Sequence, residues 1–293
     1  MIGLNIHQLA LTGAVLLAIG YGVLGLLVVI PTTRDTARDL VKTFFSATLI
    51  AAVLICATLS GTVGIVALMV VVALRVGFEA GHVRFGTAQA AWGMAILCLG
   101  LSLAVMSETL IAVALAGVWP LLLVRVVKMQ KGRTAHALLE LLVFPVIPMA
   151  LMAHGGVAPE MRVAVAGTYV LVEIFDSFAL LFGKLFGKRP AFPILSPRKT
   201  VEGLMGGAIS LCVLTAISAG LLGLNVGAMV GVALMVAMLA VAGDLAASRL
   251  KRNAGVKDYP VVMKRQGGLL DSLDSWIAAS AGLVALYFVL VLL

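Results

Sequence analysis

Acidic side chains in the last 130 or so residues have types and spacings that could do chemistry with a metal ion. Glu173 and Asp176 stand three residues apart, as do Asp271 and Asp274, and Asp244 lies between these pairs. Residues three apart on a helix share a face. Carboxylates on facing helices form an oxygen-rich cage that suits Mg²⁺. These acids therefore predict a divalent-metal site formed by several helices.

Cationic side chains accompany the acids. One helical stripe, at positions i, i+4, i+7 and i+8, consists of Asp244, Ser248, Lys251 and Arg252. The loop after this stripe contains Lys257, Asp258, Gly267 and Gly268. Because lysine and arginine suit phosphate oxygens, acids and cations together predict a site for a metal–polyphosphate.

A second basic segment precedes the stripe. It contains Lys184, Lys188, Arg189, Ser196, Arg198, Lys199, Thr200 and Glu202. Ordinary structural explanations stay open for parts of both segments. Residues 184–189 also fit a basic flank of a membrane span. The pair Asp271/Asp274 also fits a helix cap, and Glu173 also fits a hydrogen-bonded core acid.

The whole chain has the composition of a membrane protein. Of its 293 residues 62% are hydrophobic and only 12% are charged, against about 25% charged in soluble domains. Apolar segments of about 20 residues, the length of a span, recur along it. We therefore predict an all-α, polytopic integral membrane protein with about ten transmembrane helices. It forms a single membrane domain over 1–293, in which 1–160 carries little motif content and 161–293 carries the candidate active site.

The predicted spans alternate with basic loops on one side only. The spans are 9–30, 43–59, 61–76, 90–106, 109–126, 137–153, 163–183, 202–222, 226–248 and 269–292. Of the 21 lysines and arginines, all but Arg162 fall on one side, which the positive-inside rule makes cytoplasmic. We expect a protein of the cell's inner (cytoplasmic) membrane, with its active site at the cytoplasmic face and both termini on the opposite side.

Several function classes find no support. The net charge of +8 comes from short loops that meet lipid headgroups or phosphates, so no nucleic-acid partner is expected. HExxH, GxSxG and Walker A motifs are absent from the sequence, which leaves metalloproteases, such serine hydrolases and P-loop ATPases unsupported. The acids of the first half, such as Asp35, Asp39 and Glu79, are interpreted as loop residues. Pro145 and Pro148 predict a kink in the sixth span.

Two spaced motifs resemble the phosphatidate cytidylyltransferases, also called CDP-diacylglycerol synthases. The first runs from Asp176-Ser177 through Gly187-Lys188-Arg189 to Ser196-Pro197-Arg198-Lys199-Thr200 and Glu202-Gly203. The second has serine, two residues, Lys-Arg, four residues and Lys-Asp, followed by a glycine pair and two aspartates. These positions are Ser248, Lys251, Arg252, Lys257, Asp258, Gly267, Gly268, Asp271 and Asp274. The resemblance covers about residues 170–276.

The resemblance implies a membrane enzyme that joins CTP and phosphatidate to give CDP-diacylglycerol and pyrophosphate. It implies catalytic roles for Asp244, Asp271 and Lys251, with Mg²⁺ held by Asp244, Asp271 and Asp274. The substrate-binding residues that it implies are Asp176, Lys188, Ser196, Lys199, Thr200, Glu202, Ser248, Arg252, Lys257, Asp258, Gly267 and Gly268. The bilayer itself is a partner, and a homodimer is left open.

Two positions depart from the family pattern. The family has histidine where this chain has Gln266 and arginine where it has Ser272. These departures keep open a divergent or inactive paralogue that binds nucleotide or lipid. A second alternative is a membrane transporter, in which the intramembrane acids would serve as proton or ion sites. A transporter would have intramembrane acids in both halves, whereas the acids of this sequence cluster in one half.

Overall fold

The computed structural model describes residues 6–29, 34–128, 134–260 and 267–292. Its helices are α1 (Ile6–Val29), α2 (Arg34–Leu59), α3 (Gly61–Phe85), α4 (Ala88–Ser107), α5 (Thr109–Lys128), α6 (Thr134–Leu141), α7 (Ile147–Val157), α8 (Pro159–Phe186), α9 (Val201–Leu221), α10 (Val226–Asn253) and α11 (Leu269–Leu292). In this part of the chain, seven helical segments are long and apolar enough to cross a membrane and three apolar helices are shorter. The prediction of an all-α polytopic membrane protein is confirmed.

Helices α6 and α7 form one bent, central span. They are joined by Leu142–Val146, where Phe144 leaves helical geometry immediately before Pro145. The predicted kink of the sixth span is therefore confirmed. This span is 78% buried, against about a third for most of the others, and it packs against α3, α4, α8 and α11. It therefore forms the core of the group that it makes with α3, α4, α8 and α11.

The third span is longer than predicted, and Glu79 is not a loop residue. Helix α3 continues through Phe85, nine residues beyond the predicted end at 76. Hydropathy falls there because of Arg75 and Glu79, yet these side chains form an i,i+4 ion pair at 2.6 Å and Glu79 is fully buried. Asp35 and Asp39 likewise have helical backbone, in the first turns of α2.

A short β-hairpin lies between α8 and α9, where the sequence predicted only a loop. Strand β1 (Pro190–Phe192) pairs antiparallel with β2 (Ser196–Thr200). Thr200 ends β2 and also caps α9, since its hydroxyl accepts a hydrogen bond from the Gly203 amide at 3.1 Å. The hairpin therefore fixes where Lys199, one residue earlier, enters the bundle.

Candidate active site

The site begins with an ion pair between the hairpin and α10. Lys199 Nζ of β2 lies 2.9 Å from Asp244 Oδ2, and about a quarter of each side chain is exposed. Burial disfavours charge on Lys199, but Asp244 and Asp176 outweigh that effect and raise the Lys199 pKa above its ordinary value. Lys199 is therefore a fixed positive charge among carboxylates.

Two further aspartates face this pair. Asp274 of α11 is buried, and its carboxylate interacts electrostatically with Asp244, Asp176 and Lys199. Asp176 of α8 interacts with Lys199 and Asp244 in turn. Close packing of α10 on α11 produces this proximity, because a Cβ on Gly243 would lie only 2.5 Å from the Asp274 carbonyl oxygen. Only glycine at 243 permits that approach.

Asp271 makes a different set of contacts. Its Oδ1 accepts a hydrogen bond from Lys251 Nζ at 2.5 Å, and its Oδ2 accepts from the amides of Tyr259 and Gly268, each at 3.0 Å. Both side chains of the ion pair are about one-tenth exposed. Gly267 has φ +80°, and a Cβ there would collide with the Asp271 carboxylate. Asp271 therefore joins α10, the start of α11 and the segment between them.

The remaining predicted site residues divide by location. Near the cluster, Ser248 is buried on α10. At the base of the hairpin, Glu202 accepts hydrogen bonds from the amides of Lys188 and Arg189 and from the Arg189 guanidinium. Glu202 therefore holds the hairpin to α9. Ser196, another predicted site residue, lies half-buried in β2.

The cationic end of α10 faces solvent. Arg252 is exposed and donates to the Val256 carbonyl at 3.1 Å, and Lys257 and Asp258 are exposed on the next turn. Three residues discussed for this loop, Lys264, Arg265 and Gln266, lie outside the described residues. Ser272 is described, and its hydroxyl lies 3.5 Å from the Gly268 carbonyl oxygen.

The donor set fits a divalent ion that is shared with a substrate. Within the described ranges, no three His, Cys, Asp or Glu side chains are arranged to hold a metal by themselves. Mg²⁺ commonly binds through one or two carboxylates plus substrate phosphates, however. Asp176, Asp244 and Asp274 come from three helices and interact electrostatically with one another beside Lys199. Two of these carboxylates, together with substrate phosphates, would suit one Mg²⁺.

An apolar groove reaches two of the acids, Glu173 and Asp176. It has a volume of about 280 Å³ and lies between α1, α2 and α8. Leu17, Phe44 and Leu181 line its apolar part, and Glu173 and Asp176 lie on its wall. Such a shape accepts a hydrocarbon chain beside a polar centre.

Two residues of the site were missed by sequence reasoning. Glu79 accepts hydrogen bonds from the Leu269 and Leu270 amides, at 2.9 and 2.8 Å. Tyr259 is buried, and burial together with the nearby Asp271 carboxylate raises its pKa well above the ordinary value. The i,i+4 spacing of Arg75 and Glu79 was a usable signal for the first, whereas Tyr259 had none.

Comparison with known proteins gives a family match over most of the chain. The profile of the cytidylyltransferase family matches residues 33–291. A phosphatidate cytidylyltransferase of Staphylococcus aureus (strain COL) is 39% identical over 114 residues, which cover 37% of this chain and 43% of the relative. The enzymes of the same name from Staphylococcus saprophyticus and Staphylococcus epidermidis are 33% identical over 111 residues, with the same coverage. The match thus spans less than half of the length of these relatives.

Proposed function

The chain belongs to the cytidylyltransferase family, and we propose that it transfers the cytidylyl group of CTP to phosphatidate, giving CDP-diacylglycerol and pyrophosphate. The observation that carries this proposal is the cluster of four aspartates and two lysines from α8, β2, α10 and α11, which lies inside the matched region. Its composition suits the meeting of two phosphate-bearing substrates.

Repulsion between two anions is the main obstacle to this reaction. An oxygen of the lipid phosphate attacks the α-phosphorus of CTP. A new bond forms between these two atoms, and the bond from the α-phosphorus to the oxygen of the leaving pyrophosphate breaks. Lys199 and Lys251 neutralise charge on the phosphates and stabilise the charge that develops on pyrophosphate. Positioning and charge suffice for phosphoryl chemistry of this kind, so a covalent nucleophile is not required. Arg252 and Lys257, exposed at the end of α10, bind the outer phosphates of CTP.

Asp244 and Asp274 would hold Mg²⁺ together with the CTP phosphates, and Asp176 adds negative charge beside them. When bound, Mg²⁺ polarises the phosphoryl oxygens and neutralises the leaving group. Asp271 is the third proposed ligand. Its oxygens accept from Lys251 and two amides, so Asp271 would hold the ion while also keeping Lys251 in place to meet a phosphate.

The acceptor is a lipid in this proposal because the groove between α1, α2 and α8 is apolar and runs to Asp176. An acyl chain in the groove would hold the lipid phosphate near the metal carboxylates. Since the predicted alternation of spans places 20 of the 21 lysines and arginines on one side, we propose that the site lies at the cytoplasmic face of the membrane.

The test is pyrophosphate release by the purified protein in nanodiscs. We expect release only when CTP, Mg²⁺ and phosphatidate are all present. Pyrophosphate and CDP-diacylglycerol should then form in equal amounts. Asp244→Asn keeps the shape of the side chain and should abolish release. Pyrophosphate formation without lipid would contradict an acceptor role for phosphatidate. Binding of CTP with no turnover on any lipid phosphate would favour the non-catalytic alternative.

A further inference from the structure

We propose that Glu79 and Arg75, which lie in the half of the chain without motifs, are positioning residues that hold the start of α11 and therefore Asp271 in the catalytic geometry. The proposal rests on the proposed function for its kinetic part only. The contacts that carry it link α3 to the segment before α11, nearly two hundred residues away in sequence.

Glu79 caps α11 from another helix. The first amides of a helix have no partner within it, and an acidic group there complements the helix dipole. Glu79 Oε1 accepts from the Leu269 amide and Oε2 from the Leu270 amide. The carboxylate is fully buried, so these hydrogen bonds have no water to replace them.

Arg75 holds Glu79 and the loop together. Its Nε donates to Glu79 at 2.6 Å, and its Nη2 donates to the Pro260 carbonyl at 3.3 Å. A buried carboxylate without a cationic partner is strongly unfavourable, so the contact with Arg75 stabilises Glu79 in this position. The two residues therefore hold what we call the clamped segment, which consists of residues 259–260 in the connection between α10 and α11 and residues 268–270 at the start of α11.

The clamped segment is the one that orients Asp271. Within this segment, the amides of Tyr259 and Gly268 donate hydrogen bonds to Asp271. Gly268 also packs directly on the Glu79 carboxylate, where a Cβ would collide. A shift of this segment would move both donors, and with them the carboxylate that we propose as a metal ligand.

Glu140 offers a matched control. It is as buried as Glu79. Its carboxylate pairs with the Arg84 guanidinium at 3.6 Å and accepts a hydrogen bond from the side-chain amide of Asn253 at 3.1 Å. It thus joins α6 to α3 and α10, away from the start of α11. Loss of its charge should destabilise the protein without moving Asp271.

The experiment combines hydrogen exchange with metal dependence in the full-length protein in nanodiscs. In Glu79→Gln, which keeps the shape, the amides of residues 268–270 should exchange roughly tenfold faster or more, the effect of one lost charged hydrogen bond. The Mg²⁺ concentration for half-maximal activity should rise roughly fivefold or more, an effect similar in size to the loss of one hydrogen bond. In Glu140→Gln both quantities should keep their wild-type values. Arg75→Met should repeat the Glu79 result, and the double variant Glu79→Gln with Arg75→Met, which leaves no unpaired buried charge, guards against a variant that fails to fold.

The outcomes separate the two claims. Unchanged exchange at 268–270 in both Glu79→Gln and Arg75→Met overturns the clamp. Faster exchange with a wild-type Mg²⁺ requirement shows a merely structural contact and overturns the positioning role. If the wild-type protein turns over no substrate, the proposed function fails, and the exchange measurement alone then decides whether Glu79 holds α11.

Discussion

Replacement of Asp271 by asparagine should destabilise the protein as well as inactivate it. The aspartate accepts from three donors: Lys251 Nζ and the amides of Tyr259 and Gly268. Asparagine has one acceptor oxygen and one donating amide group, so in either orientation its amide faces a donor. Removal of one partner from a buried ion pair costs about 3–5 kcal/mol. Since both side chains are about one-tenth exposed, we expect the free energy of unfolding to fall by an amount near the lower end of this range, about 3 kcal/mol.

The assay is reversible unfolding in mixed micelles, with Asp258→Asn as the control. Asp258 is an exposed acid near the same loop, and its change should stay within about 0.5 kcal/mol of wild type. Adding Lys251→Met to Asp271→Asn removes the unpaired cation, so the double variant should be more stable than the sum of the single effects by about 1 kcal/mol or more. An Asp271→Asn protein as stable as the Asp258→Asn control, or purely additive effects, would refute this account of the pair.

Three further predictions concern charge, topology and the acceptor. Lys199→Met should weaken CTP binding roughly 10- to 150-fold, the value of one charged contact, by calorimetry with a non-hydrolysable analogue; unchanged affinity would remove Lys199 from the nucleotide site. A cysteine at Arg198 should resist an impermeant reagent added outside intact cells while one at Glu160 reacts, and the reverse pattern would invert the topology. The double change Gln266→His with Ser272→Arg should raise activity on phosphatidate by a similar 10- to 150-fold factor; no gain over an already fast wild type would make the departure neutral.

Hydropathy and charge were enough to predict the membrane fold. Each of the ten predicted apolar runs coincides with a described helix or with the bent α6–α7 span, and seven of these are long and apolar enough to cross a membrane. The bend at Pro145 follows from its missing amide. The third span was cut short because hydropathy treats Arg75 and Glu79 as two exposed charges. In the fold they neutralise each other and the helix continues. Paired charges are a property of tertiary contact, which a sliding average does not contain.

The site was predictable in its members but not in their partners. Asp271 and Asp274 share a helix face by spacing, yet Asp271 pairs with Lys251 while Asp274 faces Asp244. That division depends on how closely α10 packs on α11 at Gly243, which spacing along one helix cannot reveal. The hairpin that delivers Lys199 was also missed, because three- and five-residue strands leave almost no periodic signal.

The most direct test of the proposed function follows the phosphorus atoms of CTP. The purified protein in phosphatidate-containing nanodiscs is supplied with Mg²⁺ and with CTP labelled at either the α- or the γ-phosphorus. The account predicts that the α-label enters the lipid phase as CDP-diacylglycerol, that the γ-label leaves as pyrophosphate, and that Asp244→Asn abolishes both transfers. An α-label that stays in the aqueous phase, or a γ-label that enters the lipid, would contradict cytidylyl transfer.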